Sequence, residues 1–270
     1  MPLPNTVLSP APIKTDQISV KLTRDAREIE SAQRLRYQVF YEEYAAKPDA
    51  KMALARLDMD DFDDYADHLI VIDHARGDTI VGTYRLLRQE AAMRIGQFYS
   101  SDEYDLTALL NSGHNLLELG RSCVLPEYRT KPVLNLLWEG IADYITEHDI
   151  GVMFGCASLH STDIASISRP LSYLHHYHLA PEEIRPRALK GQYINMNIMP
   201  KDEFEAKRGF NDLPPLIKGY IRVGAVIGDG AFIDPQFNTT DVCIIVETSK
   251  LTDRYRKHYE RKINKEIPSK

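Results

Sequence analysis

Two charged residues stand inside an otherwise apolar run, Leu117-Glu118-Leu119-Gly120-Arg121-Ser122-Cys123-Val124. Read as a β-strand, the run puts Glu118, Gly120 and Ser122 on one face and Leu119, Arg121 and Cys123 on the other. Buried charge is stable only when paired, so each of the two needs a partner. A carboxylate in such a place can take a proton from an amine that attacks a thioester, directly or through water. The same two residues equally suit a structural ion pair that ties the sheet to a helix.

Four further groups bear on chemistry. Arg129-Thr130-Lys131-Pro132-Val133 reads as a helix start, with Pro at the first positions. Free N–H groups beside two cations there would bind phosphate, although an ordinary solvated helix start has the same residues. Arg85 sits in a strand close to Gly82. Asp60 and Asp63 belong to the acidic segment Asp58–Tyr65, which lacks the Gly and terminal Glu of a calcium loop. These carboxylates would either receive a substrate cation or order their loop. The cluster His175-His176-Tyr177-His178 points its rings in different directions and has no acidic ligand at matching spacing, so packing or a substrate channel is expected and metal is not.

The elements that must position these residues follow from periodicity. Ile18–Leu22 alternates as a first strand, and from Asp25 a helix carries Ile29, Ala32, Leu35, Val39 and Phe40 on one broad face. Residues 68–73 and 80–87 flank Arg76-Gly77-Asp78 as a hairpin. A short helical excursion over 98–111 precedes the charged strand. A helix from Pro132 to about His148 then leads into a buried strand at Gly151–Ala157, which predicts a parallel crossover. Thr162–His178 reads as a helix broken at Pro170. Residues 179–215 have weak periodicity and are expected to form an irregular insertion. Ile217–Ile227 and Asp241–Glu247 read as late strands, and a basic helix closes the chain within 249–265. The order predicts an α/β fold: a mixed sheet with helices on both faces, in one domain over 17–270 behind a flexible lead at 1–16.

Bulk properties narrow the function classes. A chain of 270 residues, 43% hydrophobic, can bury a sizeable core. A formal net charge of −6 argues against general nucleic-acid binding, because phosphate backbones attract basic surfaces. Cys123, Cys156 and Cys243 lie in apolar runs without CxxC spacing, as buried thiols of a reducing cytoplasm would. No apolar run reaches the roughly 18 residues of a spanning helix, so any membrane role is peripheral. The basic tail (Arg254, Arg256, Lys257, Arg261, Lys262, Lys265) would touch anionic lipid or an acidic carrier protein, or be a solvated helix.

Taken together, these residues resemble two related families. Arg36 with Phe40, Asp60 and Asp63, Arg85-Leu86-Leu87, and Glu118 with Arg121 follow the pattern of acyl-homoserine-lactone (autoinducer) synthases. The fuller resemblance, from about Arg34 to Tyr259, is to the L-ornithine Nα-acyltransferase family. It runs through Phe62-Asp63-Asp64-Tyr65 with Asp67-His68, Leu117–Cys123, Pro170–His176, Pro214–Tyr220 and Asp234–Asp241. The resemblance implies an acetyltransferase-like (GNAT-like) fold with a C-terminal extension. It also implies a long, 3-hydroxy-type acyl chain carried by acyl carrier protein, the α-amine of L-ornithine as acceptor, and lyso-ornithine lipid as product.

By position in that family, Glu118 would be the base or its orienting carboxylate, with Arg121 beside it in catalysis. Arg36, Phe40, Asp60, Asp63, Arg85 and Ser122 would shape the substrate site, an Arg taking the α-carboxylate and Asp60 or Asp63 the side-chain ammonium. Arg129, Thr130, Lys131 and Val133 would hold the phosphopantetheine, and the acyl tail would lie along Leu171–Leu179. Neither a metal nor a tightly bound cofactor is implied; the acyl-phosphopantetheine is a co-substrate. The expected location is cytoplasmic, with peripheral contact at the inner membrane face.

One departure bears on the donor: coenzyme-A-using relatives carry a glycine-rich loop where this chain has Arg129–Leu134. Without glycine a diphosphate is harder to cradle, whereas a carrier arm has a single phosphate. The alternatives are an autoinducer synthase using S-adenosylmethionine, the same reaction on glycine or glutamine, and a carrier-protein-binding module without turnover.

Overall fold

The computed structural model describes residues 17–268, apart from the side chains of Asp253 and Arg254. The expected lead at 1–16 lies outside the described residues.

Strand β1 (Ile18–Thr23) leads into α1 (Ala26–Tyr37), whose first N–H groups are capped by Asp25, and a π-helical turn (Gln38–Glu43) extends it. After α2 (Ala50–Ala55) come β2 (Asp67–Asp73) and β3 (Thr79–Arg88), the expected antiparallel hairpin, with Gly77 at φ 64° turning the chain. The connection to the charged strand holds α3 (Gln89–Ile95), a 3-10 turn (Tyr99–Asp102), β4 (Tyr104–Asp105) and α4 (Thr107–Leu110). The crossover is then β5 (Leu116–Val124), α5 (Lys131–Glu147) and β6 (Val152–Leu159), parallel as expected.

Beyond it lie α6 (Ser168–His178), β7 (Arg187–Ala188), β8 (Tyr193–Ile194) and α7 (Ala206–Asp212). The chain then forms α8 (Pro215–Val223), β9 (Val226–Ile227), β10 (Ala231–Asp234), β11 (Thr239–Glu247) and α9 (Asp253–Ile263). The sheet runs β1-β2-β3-β5-β6-β11-β10-β8, with β9 also on β11. Helices cover both faces: α1 lies on β3 and β5, α5 lies on β1 to β3, and α9 packs on α5.

Three expectations are corrected. Residues 217–223 are not a strand, and only Val226–Ile227 of the expected run is one: Ile217, Tyr220 and Val223 recur every third residue on the buried side of α8. Pro215 opens that helix and Gly224, at φ 105°, closes it. Pro170 does not break α6, because it lies in the first turn, where a missing N–H removes no helical bond. The segment 179–215 is only partly irregular, since β7 pairs with β4 and β8 extends the sheet beside β10.

Two local features open the sheet at its centre. Strands β5 and β6 pair only through Leu116↔Val152, Leu117↔Met153 and Glu118↔Phe154, and then part. Gly155 sits at the parting point, where an added Cβ would overlap the carbonyl oxygen of Leu119. On the other side of β5, Thr83 faces Cys123 and Arg85 faces Gly120, so Arg121 and Ser122 together oppose Tyr84. This is a β-bulge, and Arg121 takes φ 49° in it.

Candidate active site

The bulge changes which side chains meet. Strict alternation would separate Glu118 from Arg121, yet both reach Tyr99: its backbone N–H donates to Glu118 and its ring lies 4.6 Å from the Arg121 guanidinium. The expected opposite-face placement is therefore wrong, because one extra residue in β5 turns Arg121 to the Glu118 side.

Neither residue is the other's partner. Glu118 caps the turn at Tyr99–Asp102. Its Oε2 accepts the Tyr99 N–H at 2.8 Å, and its Oε1 accepts the Ser100 N–H at 2.7 Å and the Ser100 hydroxyl at 2.5 Å. Burial pushes the Glu118 carboxyl up, and the Ser100 and Tyr99 bonds pull it back only in part. Arg121 instead joins a ring of three arginines and three aspartates. Its Nε donates to Asp58 at 3.1 Å and its Nη2 to Asp60 at 3.0 Å. Arg36, fully buried, donates to Asp58 at 2.7 Å and grips both oxygens of Asp63 at 2.9 and 2.7 Å. Arg85 closes the ring onto Asp60 at 2.5 Å and Asp63 at 3.1 Å. Tyr41 and Gln33 add bonds to Asp58 and Asp63. Equal numbers of each charge and near-complete hydrogen bonding are what buried ions need.

A cavity of about 1460 Å³ passes through the parted strands. Neighbours on one strand point to opposite faces, yet Tyr84 and Arg85 both line it, as do Asp241 and Ile244. It therefore spans the sheet. On one side stand Glu118, Ser100, Arg121, Arg85 and Phe40. On the other, Trp138, Tyr84, Tyr220, Tyr255 and Val246 form an apolar wall beneath α5, α8 and α9. Leu171–Leu179 do not border this cavity; Leu171 and Leu174 are packed in the core, so they line no acyl channel there.

The sequence-derived site residues divide accordingly. Glu118, Arg121, Arg85, Ser122 and Phe40 border the cavity. Arg36, Asp60 and Asp63 stand behind it in the ion ring. Both aspartates are already paired with arginines, so neither is free to take a substrate ammonium. At the cavity mouth, Lys131 is exposed, and the side chain of Val133 is in the core, leaving only its N–H for a ligand. The Thr130 hydroxyl is buried without a partner among the described residues. Arg129 is held by Glu43 in a two-pronged pair, both bonds 2.6 Å, and by the Val124 carbonyl.

The sequence reading missed Asp58, Tyr99, Ser100 and Glu103. Asp58 had a signal, its place in the acidic segment; the others lie in a polar stretch that announces nothing about burial.

The ring has a consequence for acid stability. Burial opposes ionisation of Asp58 and Asp63, but the arginines outweigh it and hold both carboxyls below their ordinary value. Burial pushes the His68 imidazole, behind the ring, below its ordinary value. Unfolded carboxyls bind protons near pH 4 and unfolded histidine near about 6.5, ahead of their folded counterparts, so acid favours the unfolded chain. Glu103, Glu118 and Asp241, whose carboxyls burial pushes up, work the other way above about pH 4, so the melting midpoint should fall steeply only as pH drops from about 4 towards 3. A midpoint that stayed flat or rose over that range in scanning fluorimetry would contradict this account.

Residues 35–139 match the acetyltransferase (GNAT) domain family. The chain is 44% identical over 248 residues to the L-ornithine N(alpha)-acyltransferase of Rhodobacter capsulatus, over 90% of this chain and 95% of that protein. It is 45% identical over 254 residues to the protein of the same name from Brucella abortus, over 92% and 90% of the two. Among solved structures, FeeM, an N-acyl amino acid synthase from uncultured soil microbes, shares the fold. Its TM-score is 0.51 at 12% identity, covering 89% of this chain and 97% of that one. With near-full coverage at this identity, and with the motifs from Arg34 to Tyr259 in their expected order, the chain belongs to the L-ornithine N(alpha)-acyltransferase family.

Proposed function

We propose that the chain moves a long acyl group from the phosphopantetheine thioester of acyl carrier protein to the α-amine of L-ornithine, giving lyso-ornithine lipid. The observation that carries this reading is the cavity that spans the sheet, aromatic and aliphatic on one face, charged on the other. A long acyl tail suits the wall of Trp138, Tyr220, Tyr255 and Val246. A charged amino acid suits the opposite side. Family membership supports the same acceptor.

The carrier arm would enter at the mouth beside α5. Its phosphate would meet the N–H groups of Lys131 and Val133, which a first helical turn leaves free, with the Lys131 ammonium alongside. Arg129, tied to Glu43, would shape the rim rather than reach far. Pro132 stands where a glycine would let a diphosphate approach, which favours the single phosphate of a carrier arm.

The amine nitrogen attacks the thioester carbonyl carbon and its proton passes towards Glu118 through the Ser100 hydroxyl or a water. Backbone N–H groups of β5 on the side from which β6 has parted, near Ser122–Val124, would receive the oxyanion. The C–N bond forms, the C–S bond breaks, and the thiolate takes a proton. That proton comes from the Glu118 carboxyl or water, while Tyr84 and Tyr220, their hydroxyls 3.4 Å apart, line the cavity and, kept protonated by burial, can hydrogen-bond the leaving sulfur.

No described helix is long and apolar enough to cross a membrane. The peripheral contact expected of α9 draws limited support from its cations. Lys262 pairs with Glu139, Lys265 with Asp143, and Arg256 turns inward to the carbonyls of Thr248 and Ile267. The cytoplasmic, membrane-adjacent location therefore rests on the nature of the product.

The test is to offer 3-hydroxyacyl carrier protein with ornithine, glycine, glutamine or S-adenosylmethionine and to weigh the products. Monoacylated ornithine is the expected product. Product with another acceptor alone would overturn the acceptor, and carrier binding without any product would leave a binding module.

A further inference from the structure

Glu103, Asp234 and Asp241 converge on the charged side of the cavity, each offering a carboxylate oxygen within 4.8 Å of the other two. Glu103 follows the turn that Glu118 caps, Asp234 ends β10, and Asp241 lies in β11. All three are buried, at 5%, 8% and 6% exposure. Asp234 accepts the N–H groups of Gln236 and Phe237 through one oxygen. Glu103 Oε2 and Asp241 Oδ1 have no hydrogen-bond partner among the described residues. Unpaired carboxylate oxygens at such depth are costly, and a fold keeps them only where something else completes them. Burial and mutual repulsion push both carboxyls up, which is how an acidic group lacking its cation behaves.

We propose that these three carboxylates form the subsite for the side-chain ammonium of the acceptor, fixing it as a basic amino acid. This deepens the proposed function and rests on it. An alkylammonium has three N–H donors, and N–H···O bonds of about 2.9 Å around a tetrahedral nitrogen place the acceptors about 4.7 Å apart, a spacing that three carboxylates within 4.8 Å of one another can reach. A divalent metal ion, holding its oxygens at roughly 2.0–2.6 Å, would draw the three closer together; the side-chain amine of the proposed acceptor is what favours the ammonium.

Position agrees as well. Glu118 Oε1 accepts the Ser100 hydroxyl, and the Cys156 thiol lies 3.4 Å from that same hydroxyl. Cys156 in turn neighbours Glu103. The base and the acidic triad thus lie along one wall, so that the three methylenes of ornithine can join its α-amine at one to its ammonium at the other. The ion-ring aspartates, each already paired, cannot take that role.

The experiment compares L-ornithine with L-2-aminopentanoic acid, the same carbon chain without the terminal amine. The unaltered chain should prefer ornithine strongly, and Glu103→Gln and Asp241→Asn should each cut the ratio of kcat/KM values by roughly tenfold to a hundredfold. Neither variant should lower the melting midpoint, since each removes one of several buried like charges. As a check that needs no variant, ornithine and not its deaminated analogue should raise the melting midpoint of the unaltered chain. An undiminished preference in both variants, an equal loss on both acceptors, or equal protection by both ligands would overturn the subsite. So would a chelator-sensitive activity restored by Mg²⁺ or Mn²⁺ and lost in Asp241→Asn. If the unaltered chain acylates no ornithine at all, the acceptor assignment falls and takes the subsite with it. If it acylates ornithine while the preference survives both substitutions, only the subsite falls.

Discussion

Replacing Glu118 with Gln should lower kcat by roughly 10²–10⁴ while leaving KM for the acyl carrier donor nearly unchanged, the range for loss of a positioned general base. Gln keeps the side-chain shape and one acceptor oxygen. Its amide, however, must face one of the N–H groups at Tyr99 or Ser100, which costs about 1–3 kcal/mol of stability. The two roles of this residue thus separate in two measurements. A pure turn cap would lose stability and keep its turnover. A base would lose turnover and also the acidic limb of the pH–rate profile. Glu118 has its carboxyl pushed up by burial, so in the unaltered chain the rate should climb as pH rises through that titration. Normal kcat with an unchanged profile would remove Glu118 from the chemistry.

The second large effect is on stability. Asp63→Asn leaves Arg36, fully buried, and Arg85 short of the carboxylate they share. Breaking a buried ion pair from one side costs about 3–5 kcal/mol, because the remaining charge is stranded. In a chain of this size that is a drop of roughly 6–20 °C in melting midpoint. Phe40 and Ser122, at the cavity, should remain far more tolerant. A drop of less than about 2 °C would mean that water or Gln33 rescues the arginines, and that the ring is not a closed unit.

The ring also marks the limit of what sequence pattern reveals. Arg121 stood out because a charge in an apolar strand demands a partner, Arg85, Asp60 and Asp63 by their place in a strand and in an acidic segment, and Arg36 only through the family pattern; every one of them has a partner. Which partner, and whether any oxygen remains for substrate, depends on contacts between segments far apart in the chain. Asp60 and Asp63 seemed available to an ammonium for that reason. The hairpin and the crossover were legible because period-two runs and Pro132 in the first turn of α5 are local signals. The helix α8 was misread because Ile217, Ile221 and Val223 favour strands by type, while their spacing, with Pro215 and Gly224 at the ends, fits a helix. The bulge at Arg121 left no trace in composition: neither Arg nor Ser favours a positive φ, so strict alternation was the default. Glu103 was silent for a different reason. A single glutamate in a polar stretch looks solvated until the fold folds it under β11.

The parting of β5 and β6 also bears on how the proposed products would leave. The strands separate towards their C-terminal ends and do not pair again, so the opening is a notch rather than a hole. An acylated amino acid lying across it, head on one face and tail on the other, never has to thread the sheet and can slide out sideways. The open end of the notch, next to the start of α5, is where the carrier arm would sit. On the proposed binding mode, the spent carrier is expected to depart before the lysolipid.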